Sequence, residues 1–85
     1  MKTFSYTIKD ELGIHARPAG LLVNEAKKYK CEIKIKKEEK EVILSRLLML
    51  MGLAVKKDDE VTVTFDGEDE EEAYNAISTI FKEKL

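Results

Sequence analysis

Val61-Thr62-Val63-Thr64-Phe65, then Gly67, then Asp69-Glu70-Glu71-Glu72-Ala73-Tyr74-Asn75-Ala76-Ile77 is a stretch whose hydrophobic period changes partway through. Up to Phe65 the apolar residues alternate with threonines, the period-two pattern of a strand with one dry face. Beyond Gly67 the apolar positions Ala73, Ala76, Ile77 and Ile80 follow a helical period and form one inward stripe. Asp69 and Glu72 stand three apart, as in a capping box with Asp in the Ser/Thr role. Acids crowd the first turn of this segment and Lys82 and Lys84 the last, an arrangement that suits the helix dipole. A one-faced strand joined by a short loop to a one-striped helix implies two layers, a sheet and the helices that cover it.

The same two periods recur towards the amino terminus. Phe4, Tyr6 and Ile8 alternate with Thr3, Ser5 and Thr7, which predicts a strand, and Asp10 to Gly13 predicts a loop. Over about Ala16 to Lys28, Ala19, Leu22, Val23, Ala26 and Tyr29 fall on one helical face. Cys31, Ile33 and Ile35 alternate with Glu32, Lys34 and Lys36 in a second strand, and the charged turn Lys37–Lys40 leads to a short third one at Val42–Leu44. Ser45 to Leu53 reads as a short apolar helix, closed by Gly52 or soon after. The order β-α-β-β-α-β-α predicts an α+β domain spanning residues 1–85, an antiparallel sheet with helices on one face and the other face wet.

Composition narrows the function. The 85 residues carry fifteen Lys plus Arg against seventeen Asp plus Glu, a net charge of −2. Nonspecific nucleic-acid binding needs a surplus of cations to displace counterions, so nucleic acid is not an expected partner. One His and one Cys exclude the common zinc sites, and the acidic run Glu68–Glu72 lacks calcium-loop spacing, so neither metal nor cofactor is expected. Cys31 reads as a small core residue at a strand start, and Tyr74 as half-buried packing. No apolar run approaches the ~20 residues of a membrane span, and the first residues lack the apolar stretch of a signal peptide. A cytoplasmic monomer without membrane insertion is the expectation.

The densest chemical signal is Gly13-Ile14-His15-Ala16-Arg17-Pro18-Ala19. Proline fits the first helical turn, where amides have no intrahelical partner, so His15 falls at or just before the N-cap. The free amides of Ala16 and Arg17 form an anion-binding helix end, and the Arg17 guanidinium adds a planar cation suited to oxyanions. A neutral imidazole offers a nucleophilic nitrogen near neutral pH. Together these could accept and steady a phosphoryl group; a lone helix-capping histidine beside a solvated arginine is the plainer reading of the same residues.

The motif resembles the active-site signature of the HPr family, the histidine-containing phosphocarriers of the bacterial sugar phosphotransferase system. The resemblance extends to Met51-Gly52-Leu53, Lys57-Asp58-Asp59-Glu60-Val61 and Gly67-Glu68-Asp69-Glu70, and covers essentially the whole chain. It implies an open-faced β-sandwich, with a four-stranded antiparallel sheet and three helices on one face. It also implies a transient phosphoramidate on Nδ1 of His15, received from phospho-enzyme I and passed to enzyme II A components, with Arg17 steadying the phosphate. Such a carrier turns over no substrate alone and is not an enzyme by itself. An HPr-like regulatory binding module is the alternative, but a binder needs neither His15 nor Arg17. A small hydrolase is a third reading, against which stands the lack of a second acid or base beside the motif.

Arg17, Gly20, Leu21 and Asn24 lie opposite the core stripe of the first helix. The middle helix has more apolar residues than one side can bury: Leu50 and Leu53 group on one side, Leu47, Leu48 and Met51 on another. An exposed Leu/Met patch beside His15 is expected to dock partners, as the family does there, with Lys27, Lys28 and Lys30 as a basic rim. Many HPr proteins of Gram-positive bacteria carry a kinase-regulated serine at the start of the middle helix. Ungapped counting puts Arg46 at that position and Ser45 one residue earlier, about 100° round a helix. Ser45 is therefore expected to serve as an N-cap rather than as a switch.

Overall fold

A computed structural model describes residues 1–85. The elements are β1 (Lys2–Thr7), α1 (Ala16–Ala26), β2 (Glu32–Lys37), β3 (Lys40–Ile43), α2 (Leu47–Gly52), β4 (Glu60–Asp66) and α3 (Glu70–Lys84). The strands make one antiparallel sheet in the order β1-β4-β2-β3, so β4, the strand read first from its alternation, is inserted between β1 and β2. Its register sets Val63 between Phe4 and Ile35, and Phe65 beside Ile33, which lines every apolar position up on one face. The alternate positions carry Ser5, Thr62 and Lys36 along one row of the opposite, polar face. Helices cover the apolar face, and 21 buried residues form one core. The expected α+β open-faced sandwich is the observed fold.

Three local expectations are corrected. The buried line of α3 is Ala73, Ile77 and Phe81, while Ala76 and Ile80 are only half-buried. Phe81 decides this rotation, because its ring packs 5.7 Å from those of both Phe4 and Tyr6. The capping box is absent: Asp69 stands at the N-cap of α3 but makes no side-chain cap bond. Its carboxylate instead accepts the amides of Lys30 (2.7 Å) and Cys31 (2.8 Å), fastening the loop between α1 and β2, while Glu70 Oε1 accepts the Gly67 amide. Helix α1 stops at Ala26, and Tyr29 lies in the turn beyond it, its hydroxyl donating to Glu25. Cys31 is buried as expected, and burial, with help from Asp69, pushes its thiol up to about 11. No thiolate chemistry is available there at neutral pH.

The loop bonds carry a pH dependence. The Lys30 amide holds Asp69 below the ordinary carboxylate range, the Gly67 amide does the same for Glu70, and the Lys56 amide for Asp59. A carboxylate whose folded pKa is depressed contributes stability above its unfolded value, about 4, and loses it as pH falls through the folded value. Melting temperature should therefore fall steeply on acidification below about pH 4. Asp69→Asn should melt lower at neutral pH and show a shallower acid limb; melting curves running parallel to the parent's at every pH would contradict this assignment.

Candidate functional site

The turn that carries His15 is fixed by its contact with the loop between α2 and β4. The Ile14 amide donates to the Val55 carbonyl (3.1 Å), and Ile14 itself is buried. Gly13 has φ +66, and a Cβ there would collide with the Val55 carbonyl oxygen and lie 2.7 Å from Lys56 Cα. Only glycine satisfies both the left-handed backbone and this close approach. Gly13→Ala should cost about 1–3 kcal/mol and shift the His15 ring resonances, whereas Gly20→Ala, in a helix and with nothing beyond its own stretch of helix within 4 Å of the added carbon, should leave the resonances alone and stabilise slightly. Chemical denaturation and NMR of the two variants check this; an unmoved His15 in Gly13→Ala would contradict it.

His15 follows in extended conformation (φ −95, ψ −175) as the N-cap of α1, and its half-buried ring makes no cap bond. Its carbonyl accepts the first helical bond, from the Ala19 amide at 2.9 Å. Pro18 has no N–H, so Ala16 and Arg17 hold the unpartnered amides of the helix end, as the sequence implied. No acid occupies this first turn to consume them. Arg17 is exposed and takes part in none of the five ion pairs of the molecule. His15, Arg17, Pro18 and Leu21 open onto one depression of about 290 Å³, together with Asp10 and Lys84.

No sequence motif marks the last two as site residues. Asp10 forms the loop itself, its carboxylate accepting the Leu12 amide (2.8 Å) and its carbonyl the Gly13 amide (3.0 Å). Lys84 arrives from the far end of the chain, and its only sequence signal was a cation in the last turn of a helix.

The apolar surface divides as expected. Leu50 and Leu53 are buried, while Leu47 (44%), Leu48 (85%) and Met51 (38%) are exposed on α2, and Leu21 (42%) on α1. Met49, 54% exposed, joins this surface, outside the helical grouping of Leu47, Leu48 and Met51. Asn24 is exposed and Gly20 half-buried on α1. Of the three lysines of the expected rim, Lys28 is paired with Glu25 at 3.1 Å, leaving Lys27 and Lys30 without ion pairs. The expectation for Ser45 is corrected. Helix α2 begins at Leu47 with Arg46 as its N-cap, no side chain caps it, and Ser45 lies half-buried one residue outside. The Arg46 amide is already held by the Ile43 carbonyl (3.1 Å), which sets the helix start one residue later than the sequence pattern implied.

A family model described as the phosphorylation site of the HPr component of the phosphotransferase system matches residues 2–83. The chain belongs to the HPr family. It is 43% identical over 83 residues to phosphocarrier protein HPr of Lysinibacillus sphaericus, covering 98% of this chain and 94% of that protein. A solved mycoplasma histidine-containing phosphocarrier protein superposes with a TM-score of 0.91 at 38% identity, over 93% of this chain and 90% of that one. HPr of Thermoanaerobacter tengcongensis gives 0.88 at 36% identity over the whole of both chains. The family resemblance read from Gly13–Ala19 and from the middle of the chain is thereby borne out, and so is the HPr-like sandwich.

Proposed function

We propose that this chain is the phosphoryl carrier of a sugar phosphotransferase relay, taking a phosphoryl group on His15 from phospho-enzyme I and passing it to enzyme II A components. The observation that carries the reading is the uncapped His15 ring beside two unpartnered amides and a free guanidinium. A lone pair on a neutral ring nitrogen attacks phosphorus, a P–N bond forms, and the donor leaves with the electron pair of its own bond to phosphorus. The phosphoryl oxygens then meet the Ala16 and Arg17 amides and the Arg17 guanidinium. The contacts lie on the surface and stay moderate in strength, as a carrier that must release its cargo requires. Transfer to the acceptor reverses the same steps. The chain presents no second acid–base pair for turning over a substrate alone, and it acts as a carrier rather than an enzyme.

Docking falls to the half-buried Gly20 and the exposed Leu21 and Asn24 of α1 and to Leu47, Leu48 and Met51 of α2, with Lys27 and Lys30 at the rim. The carrier shuttles between its partners in the cytoplasm; no helix is long and apolar enough to cross a membrane. Arg46 holds a permanent cation where the regulated relatives place a serine, and the chain works without that switch.

Arg17→Ala should accept and donate phosphoryl groups about five- to tenfold more slowly, since the transferring charge loses a hydrogen-bonding cation. Rapid-quench assays with enzyme I and an enzyme II A component measure both directions. Unchanged rates in both would reduce Arg17 to a surface cation.

A further inference from the structure

Helix α3 contributes a residue to the His15 depression that neither the HPr motif nor the α1 helix end accounts for. Its last turn is held at both ends: Phe81 is fully buried, and Leu85 is buried with its main-chain oxygen accepting the amides of Lys9 (2.6 Å) and Asp10 (2.9 Å). Lys9 and Asp10 belong to the very loop that leads into Gly13 and His15. Lys84, between these anchors, is exposed and lines the depression with Asp10, His15, Arg17, Pro18 and Leu21. Its ammonium makes no ion pair. Asp10 is the one carboxylate side chain in the lining, and it is engaged with the Leu12 amide.

We propose that Lys84 is a second cation of the phosphoryl site, steadying the phosphoryl group on His15 from the side of α3. The inference rests on His15 being the acceptor. Among the lining side chains, Arg17 and Lys84 against Asp10 leave one net positive charge, and a phosphoryl group brings about −1.5 to −2. With Arg17 alone, the lining side chains and their load sum to about −1.5 to −2; Lys84 brings the sum to about −0.5 to −1. A lysine suits the task, because its ammonium sits on a flexible four-carbon stem and neutralises charge without the fixed two-point grip of a guanidinium. Loading is favoured while release stays easy. The chemistry of the step is unchanged, since Lys84 takes and gives no proton; it shifts the balance between loaded and empty carrier.

The test is the exchange equilibrium between phospho-enzyme I and the full chain, at low and at high salt, for the parent and for Lys84→Gln, Lys84→Glu and Lys84→Arg. All four proteins should be phosphorylated on His15. Lys84→Gln should shift the equilibrium towards the donor by about threefold and Lys84→Glu by about tenfold, while Lys84→Arg, which keeps the charge, stays close to the parent. High salt should shrink these differences, because an exposed cation is screened. Equal equilibria in all four, or shifts indifferent to salt, would overturn the proposal and leave Lys84 as a helix-end cation. A parent chain that takes up no phosphoryl group on His15 would instead overturn the underlying assignment of the acceptor.

Discussion

His15→Ala takes up no phosphoryl group from phosphoenolpyruvate and enzyme I, and it melts within a few degrees of the parent. Both halves follow from the geometry. His15 is the one imidazole of the chain and its ring makes no cap bond, so its removal deletes the nucleophile and breaks no side-chain hydrogen bond. The turn is held by Ile14 and Gly13 against Val55 and by the His15 main chain, all of which survive the substitution. Loss of the side chain exposes no large apolar surface, because the ring is only half-buried. Uptake by His15→Ala at the parental rate would remove His15 from the site altogether. Loss of uptake with a collapsed melting transition would mean that the ring is structural.

Helix α2 gives the second large contrast, since leucines two residues apart have opposite surroundings. Leu48 is 85% exposed and Leu50 1%. Leu48→Glu and Leu47→Glu place a charge on a surface already wet and should leave the melting temperature nearly unchanged. They should weaken enzyme I binding by about tenfold or more, the effect of losing an apolar anchor at an interface. Leu50→Ala empties a packed site and should cost about 2–5 kcal/mol, a large share of the ~5–15 kcal/mol that holds a domain of this size together. Calorimetry of binding and chemical denaturation separate the two. A collapsed Leu48→Glu, or one that binds enzyme I like the parent, would show that the docking surface lies elsewhere.

The parts of the fold legible in the sequence are those governed by a repeating period. Val61, Val63 and Phe65, or Ile33 and Ile35, must all face one way because every second side chain of a strand does, and burial of that face then selects the sheet. The candidate site was legible where the same few residues carry both the proposed chemistry and the local geometry, as in His15-Ala16-Arg17-Pro18. What escaped depends on contacts across the chain. The Asp69 carboxylate looks like a helix cap until the Lys30 and Cys31 amides, 39 and 38 residues away in sequence, claim it. Phe81 turns α3 about its axis through contacts with Phe4 and Tyr6, which no helical pattern reveals. Ser45 sits beside a helix start, but whether it caps depends on where the preceding turn closes, and the Ile43 carbonyl closes it on Arg46. Lys84 likewise reaches the depression only because α3 returns to the loop before His15.

The central claim is that the single histidine carries the phosphoryl group, and phosphorus–proton correlation NMR of the parent chain tests it most directly. After incubation with phosphoenolpyruvate and enzyme I, one phosphorus resonance should correlate with the ring protons of His15, vanish in acid and persist in alkali. No phosphorus signal on the chain, or an acid-stable one that correlates with Ser45 and leaves the His15 ring unmodified, would contradict the account.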